Sequence, residues 1–269
     1  MILKTVVITG STRGLGYEMA KVFLCDGWNV VVNGVNEERL KNAVDSLKIE
    51  KGRGSVLGVA GNVKNSEDIQ NILDNAVKNF GAVDIWINNA GINQPSKAMW
   101  ELTDSEIDSI LGIDLRGAII GTKIAAIQME KQLEGGMIYN VEGYGSNDAM
   151  MLGLNMYGTS KRAVTHFSKA FAKELEERNS KVKLGRLSPG IMITDFTKKA
   201  LGGEQEISLP EKTKNFYNIM GDYPDTVAEF MVGEMLKNPA NNAHINWLTG
   251  KKVMMRFITA PFKKRNFFN

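Results

Sequence analysis

Cysteine occurs once in 269 residues, as Cys25, which excludes an internal disulfide framework and fits a reducing compartment. Histidine occurs twice, as His166 and His244. With a single cysteine these leave no zinc constellation, and no metal is expected. Apolar runs stay short of the ~20 residues needed to span a bilayer. A strand pattern begins within two residues of Met1, which reads as a chain without signal or transit peptide and so as a cytoplasmic one. Acidic residues are missing from 251–269, where Lys251, Lys252, Arg256, Lys263, Lys264 and Arg265 stand, while the rest of the chain has 27 basic and 30 acidic residues. The overall charge of +3 therefore joins a basic tail to a slightly acidic body, and no nucleic-acid partner is expected. Four of eleven phenylalanines, Phe257, Phe262, Phe267 and Phe268, share that tail. A basic aromatic tail can lie peripherally on an anionic membrane, or pack its rings on its own or a neighbouring subunit with the lysines solvated.

What is present is ordinary for a soluble globular chain, 43% hydrophobic and 23% charged, and long enough for one α/β domain over 1–269. Strand-like runs at Thr5–Thr9, Asn29–Val32, Ser55–Ala60, Asp84–Asn88, Met137–Val141 and Val182–Leu187 alternate with helical segments. The helices are expected at Gly14–Asp26, Glu37–Leu47, Ser66–Asn79, Asp104–Lys131 and Leu154–Arg178. Continuous apolar strands between helices imply a parallel sheet covered on both faces, doubly wound by right-handed crossovers. No repeat or low-complexity linker divides the chain. Residues 195–223, after the sixth strand, mix turns with Phe216, Tyr217, Met220 and Tyr223 and are expected to form a substrate-binding lid; the same residues could simply fill core under a long loop.

Two motifs carry the chemistry. Thr9-Gly10-Ser11-Thr12-Arg13-Gly14-Leu15-Gly16 is a glycine-rich turn between an apolar strand and a helix, where backbone amides and a helix N-terminus can receive a pyrophosphate. Arg13 in that loop can bond a 2′-phosphate bidentately. The second strand ends Val31-Val32-Asn33-Gly34 without the acid that would bond a ribose 2′-hydroxyl, and both features favour NADPH. The second motif, Tyr157-Gly-Thr-Ser-Lys161, places a phenol and an ammonium one helical turn apart. Tyrosine near pKa 10 is a sluggish acid at neutral pH, and a neighbouring Lys161 with an oxidised nicotinamide would lower it.

Together with Asn88-Asn89-Ala90-Gly91 and Ser188-Pro189-Gly190, in this order and spacing, these motifs resemble the short-chain dehydrogenase/reductases over about residues 3–195. The resemblance implies a Rossmann-type sheet of about seven strands, Tyr157 as proton donor or acceptor, Lys161 on the nicotinamide ribose and Thr194 near the carboxamide. It adds Asn62, Val63, Asn89, Ala90, Gly91, Pro189 and Gly190 to the cofactor contacts, and implies a homodimer or homotetramer. Val83-Asp-Ile-Trp-Ile-Asn-Asn-Ala-Gly91, Gly135-Gly-Met-Ile-Tyr-Asn-Val-Glu-Gly-Tyr-Gly-Ser146, Tyr157 to His166, Asn215-Phe-Tyr-Asn-Ile-Met220 and Leu248-Thr-Gly-Lys-Lys252 are similar to the chlorophyll(ide) b reductases of the non-yellow-coloring type. That resemblance implies reduction of a 7-formyl group on a chlorin ring to hydroxymethyl, with Phe216, Tyr217 and Met220 as substrate contacts.

Two positions depart from the broad pattern. Asn140-Val141 is followed by Glu142-Gly143 where a serine is usual, leaving Ser146 as the nearest hydroxyl; a helix asparagine of the proton relay is replaced by Asp114. Asp114 is expected to stay in the relay, its alternative being a cap or salt-bridge partner. Reduction of small apolar aldehydes or ketones is the second enzymatic reading. An NADPH-binding sensor is the third, opposed by the retention of Tyr157 and Lys161.

Overall fold

The computed structural model describes residues 3–50, 52–95, 97–150, 152–194, 211–237, 239–262 and 265–267. Its strands are β1 (Thr5–Ile8), β2 (Asn29–Gly34), β3 (Val56–Ala60), β4 (Ile85–Asn88), β5 (Gly136–Val141), β6 (Val182–Ser188), β7 (Ile191–Met192), β8 (Gly221–Asp222) and β9 (His244–Asn246). Its α-helices, in chain order, are α1 (Gly14–Cys25), α2 (Glu37–Leu47), α3 (Ser66–Phe80), α4 (Asp104–Ile110), α5 (Ala118–Lys131), α6 (Asn155–Glu177), α7 (Glu211–Met220), α8 (Pro224–Lys237) and α9 (Gly250–Thr259). Seven strands form one sheet in the order β3-β2-β1-β4-β5-β6-β9, with every neighbouring pair parallel. β7 and β8 pair separately. This is a Rossmann-like α/β domain.

Successive residues of a strand point to opposite faces, and the core follows that rule. Val6 and Ile8 of β1 pack with Met19, Phe23, Val227 and Met231 from α1 and α8. Val7 between them packs with Ile72, Trp86, Ala125 and Leu184 on the other face. Both faces are thus apolar, as the unbroken strand runs require. The strand order reverses between β1 and β4, and the crevice outside their carboxyl ends is where ligands bind in such sheets.

The expected helices match the observed ones to within a residue or so, with one difference. The run over 104–131 is interrupted at Leu111–Gly117 by a π-helical segment that carries Asp114. Gly112 and Gly117 lie against Lys64 and Val63 there, so the wider turn meets the β3–α3 connection. The sheet gains a strand that was not expected: β9 is only three residues long with Ile245 buried, too brief to leave a periodic signal. Of the expected lid, 195–210 lies outside the described residues, and 211–223 forms α7, β8 and Tyr223.

Candidate active site

The glycine loop is fixed from both sides. Ser11 Oγ donates to Ile8 O at 2.6 Å and accepts from Asn33 N at 3.0 Å. Asn33 Oδ1 accepts from Gly10 N, while its Nδ2 donates to Val59 O and Gly61 O. Asn33, at the acid-free end of β2, therefore ties β2 and β3 to the loop. From the opposite side Asn89 Nδ2 donates to Thr9 O and Gly10 O at 2.9 and 3.0 Å, and Thr9 Oγ1 accepts from Asn89 N and Ala90 N. Gly10 has φ +60°, and a Cβ there would lie 2.7 Å from Ala90 Cα, so only glycine lets the loop close on β4. Arg13 occupies the N-cap position of α1 without a side-chain capping bond, and no acid stands in the first turn. The first-turn amides, Thr12, Arg13, Gly14, Leu15 and Gly16 suit an anionic pyrophosphate. Asn62 and Val63 follow β3: Asn62 N donates to Asp68 Oδ2 at 2.8 Å, and Val63 is buried against Gly117.

The second half of the site gathers at the carboxyl ends of β4 and β5. Lys161 Nζ lies 3.4 Å from Asp114 Oδ2, both side chains being almost wholly buried. Asp114 Oδ1 accepts from Ile92 N at 2.8 Å. The ammonium also lies 5.6 Å from the Tyr157 ring centroid. Gly91 sits against both members of the ion pair. Burial disfavours the Lys161 charge, but Asp114 and then Tyr157 outweigh it and hold the lysine above its ordinary range. Burial also pushes Asp114 up, against the pull of Lys161 and of the Ile92 amide. The expected lowering of Tyr157 by Lys161 is reversed in the protein alone: burial raises the phenol, Lys161 opposes, and Asp114 adds to the rise.

At Gly143, the position of the usual serine, a Cβ would collide with Tyr157 Oη. The phenol has taken the space a side chain would fill. Ser146 Oγ accepts from Gly143 N at 3.1 Å, and Arg162 donates to Ser146 O at 2.9 Å. Ser146 thus folds its own loop onto α6. Pro189 and Gly190 follow β6, and Thr194 lies beside Gly14. Phe216, Tyr217 and Met220 sit on α7, which packs on α9 and β8; Phe216 is partly exposed and Met220 buried. A cavity of about 770 Å³ lies elsewhere, between the start of α3 and the π-helical segment, lined by Lys64, Ser66, Asp108, Gly112 and Arg116.

Two features escaped the sequence reading. Gln94 is buried; its Oε1 accepts from Met156 N at 2.8 Å and Tyr157 N at 3.3 Å, so it caps α6, while its Nε2 has no hydrogen-bond partner among the described residues. Glu142, noted only as a departure, accepts from Thr165 Oγ1 at 2.8 Å, Arg186 Nη1 at 3.2 Å and Ser188 Oγ, with His244 Nε2 at 3.1 Å. Burial raises its carboxyl, but the bonds from His244, Ser188 and Thr165 prevail and bring it down to about 2. An acid ending a buried strand is the available signal, since such a charge needs partners; which partners depends on α6, β6 and β9 meeting in space.

The family model for short chain dehydrogenases matches residues 4–205. Over 260 residues the chain is 34% identical to the chloroplastic chlorophyll(ide) b reductase NOL of Oryza sativa subsp. japonica, covering 94% of this chain and 74% of that protein. It is 31% identical to a probable chloroplastic chlorophyll(ide) b reductase of Arabidopsis thaliana, covering 99% of this chain but 55% of that longer protein. Among solved structures, an actinorhodin polyketide ketoreductase variant with NADPH superposes with a TM-score of 0.80 at 23% identity, covering 92% of this chain and 97% of that one. A 3-ketoacyl-(acyl-carrier-protein) reductase from Brucella melitensis complexed with NADH gives 0.78 at 24%, covering 93% and 98%.

Proposed function

Because this chain belongs to the short-chain dehydrogenase family and is therefore an NAD(P)-dependent oxidoreductase, we propose that it reduces a carbonyl with NADPH, the leading substrate being the 7-formyl group of a chlorophyll b-type chlorin. The observation that carries this reading is the buried Tyr157–Lys161–Asp114 group beside the glycine loop. Relatives named chlorophyll(ide) b reductase support the chlorin. Arg13 at the start of α1 and the engaged, uncharged Asn33 support NADPH over NADH.

When bound, the reduced nicotinamide supplies the hydride. Tyr157 gives its Oη proton to the oxygen of the carbonyl as that oxygen becomes an alkoxide, yielding the alcohol. A phenol held above its ordinary range by burial remains protonated at neutral pH, which suits a donor working in the direction of reduction. Lys161 stays an ammonium through Asp114 and returns a proton toward the phenolate from solvent. Ser146 keeps the Gly143 loop against Tyr157, and Ser146 or a backbone group of that loop stabilises the developing negative charge. A homodimer built on the outer faces of 104–131 and α6, or a tetramer of two, belongs to this reading; light scattering showing only a monomer at micromolar concentration would remove it.

A second reading, reduction of small apolar aldehydes or ketones, is favoured by the burial of Tyr157 and Met220. Initial rates of NADPH oxidation with a panel of carbonyl compounds, including a chlorophyll b derivative, separate the two. Turnover of the chlorin is the expected result. Turnover of small carbonyls alone leaves the second reading, and no turnover of any leaves a binding protein.

A further inference from the structure

The C-terminal helix is built inside out. Its inward side is polar: Arg256 Nη1 donates to Met220 O at 2.7 Å and Nη2 to Asp222 Oδ2. Asp222 is buried and also accepts from Trp247 Nε1 and Arg265 Nη2, both at 2.6 Å. Lys252 lies over the Trp247 ring. Phe267 is tucked edge-on against Tyr223, 4.9 Å between centroids. The tail's arginines are thus turned into the protein, while Phe267 packs on the body and Lys251 stays exposed.

The outward side is apolar. Met254 and Ile258, four residues apart, lie along one face, Met255 and Phe257 flank them, and Phe262 follows in the turn after the helix. All five are between 51% and 87% exposed, Phe262 the most. An apolar stripe on a helix normally faces a core. Here the helix is held by charge and hydrogen bonds at its back, and its greasy side is presented to the outside. Clustered exposed apolar residues of this kind mark an interaction surface.

Charge decides among occupants. The segment from Gly250 to Phe262 contains Lys251, Lys252 and Arg256 and no acid, and Lys251 is exposed beside the stripe. A two-fold contact through this face would set the exposed Lys251 of each copy against a segment, Gly250 to Phe262, that carries no acid. A bilayer with anionic headgroups supplies both an apolar layer for the stripe and the missing negative charge. No described helix is long and apolar enough to cross a membrane, so the contact would be interfacial. We propose that the outer face of α9 and the turn after it form a docking surface for an anionic lipid bilayer, with Met254, Phe257, Ile258 and Phe262 entering the headgroup–acyl boundary and Lys251 at its rim. The inference does not depend on which carbonyl is reduced.

The test is co-sedimentation of the full chain with pigment-free vesicles of phosphatidylcholine, with or without phosphatidylglycerol. The variants are Ile258→Ser with Phe262→Ser, which keeps the Arg256–Asp222 anchor, and Lys251→Glu. Wild type is expected to bind the anionic vesicles, less at high salt. The double variant should partition roughly tenfold more weakly, from lost apolar burial, while keeping its circular dichroism spectrum and its NADPH affinity. Lys251→Glu should weaken binding severalfold. Three results would overturn the proposal: no binding by wild type, equal binding to phosphatidylcholine alone, or undiminished binding by the double variant. A dimer that the double variant converts to monomer, without vesicle binding, would assign the face to a second copy instead.

Discussion

The glycine-loop end and the C-terminal end of the molecule both bury polar side chains, yet they leave different chemistry outside. Around β1, Ser11, Asn33 and Asn89 spend their hydrogen bonds on neighbouring backbone, and the loop leads into the start of α1, where Arg13 is the N-cap residue and the first turn carries no acid. Around β8, Asp222 absorbs Arg256 and Arg265, and what remains outside is a stripe of methionine, isoleucine and phenylalanine. The first arrangement is the one proposed to receive an anion of fixed shape, the second the one proposed to meet a soft apolar layer. Between them stands the buried Tyr157–Lys161–Asp114 group, which serves neither as anchor nor as surface.

Changes at each place should therefore fail in different ways, and the largest failure belongs to the middle. Tyr157→Phe should lower kcat by roughly 10²–10⁴-fold, the scale of a lost general acid, with NADPH binding preserved by fluorescence titration. Near-normal turnover would move the chemistry to another group. Next comes Glu142→Ala, which strands the buried Arg186 and should cost about 3–5 kcal/mol in urea unfolding. The pH dependence carries a defined sign. With Glu142 held at about 2, below its unfolded value near 4.3, its contribution is complete above that unfolded value and is lost as pH falls through about 2. Glu142→Gln should flatten the acid limb of a stability–pH profile, and an unchanged limb would deny the network its charge.

Smaller effects sharpen the contrast at the crevice. Arg13→Ala should remove most of a preference for NADPH over NADH of about 1–3 kcal/mol, leaving vesicle binding untouched. Equal affinity of the intact protein for both cofactors would refute the assignment. Asp114→Asn removes the anion that helps hold Tyr157 up. The alkaline limb of the kcat–pH profile, where the donor loses its proton, should then move to lower pH. A shift the other way would mean that Asp114 acts on another group.

The two ends also differ in how far they could be read from the chain. The glycine loop, the Tyr–Lys pair and the alternation of β1 to β6 are local patterns, and local patterns survive translation into structure: α2 was expected and observed at Glu37–Leu47. The roles of Gln94 and Glu142 were hidden because each depends on partners 23 to 102 residues away. The rise of the Tyr157 pKa was hidden because burial is a property of the packed site, not of the i, i+4 spacing that announced Lys161. In the tail, composition showed basic and aromatic residues together, but which side each would face was settled by Asp222, some thirty residues earlier.

Hydride delivery to a carbonyl carbon is the claim on which the rest depends, and isotope transfer addresses it most directly. NADPH deuterated at the transferring position of C4 should be incubated with the purified chain and a chlorophyll b derivative, and the product analysed by mass spectrometry. The account predicts a hydroxymethyl product carrying one deuterium on the former formyl carbon, absent when Tyr157→Phe replaces the wild type on the same timescale. A reduced product without deuterium, or no reduction of this or any other carbonyl, would contradict it.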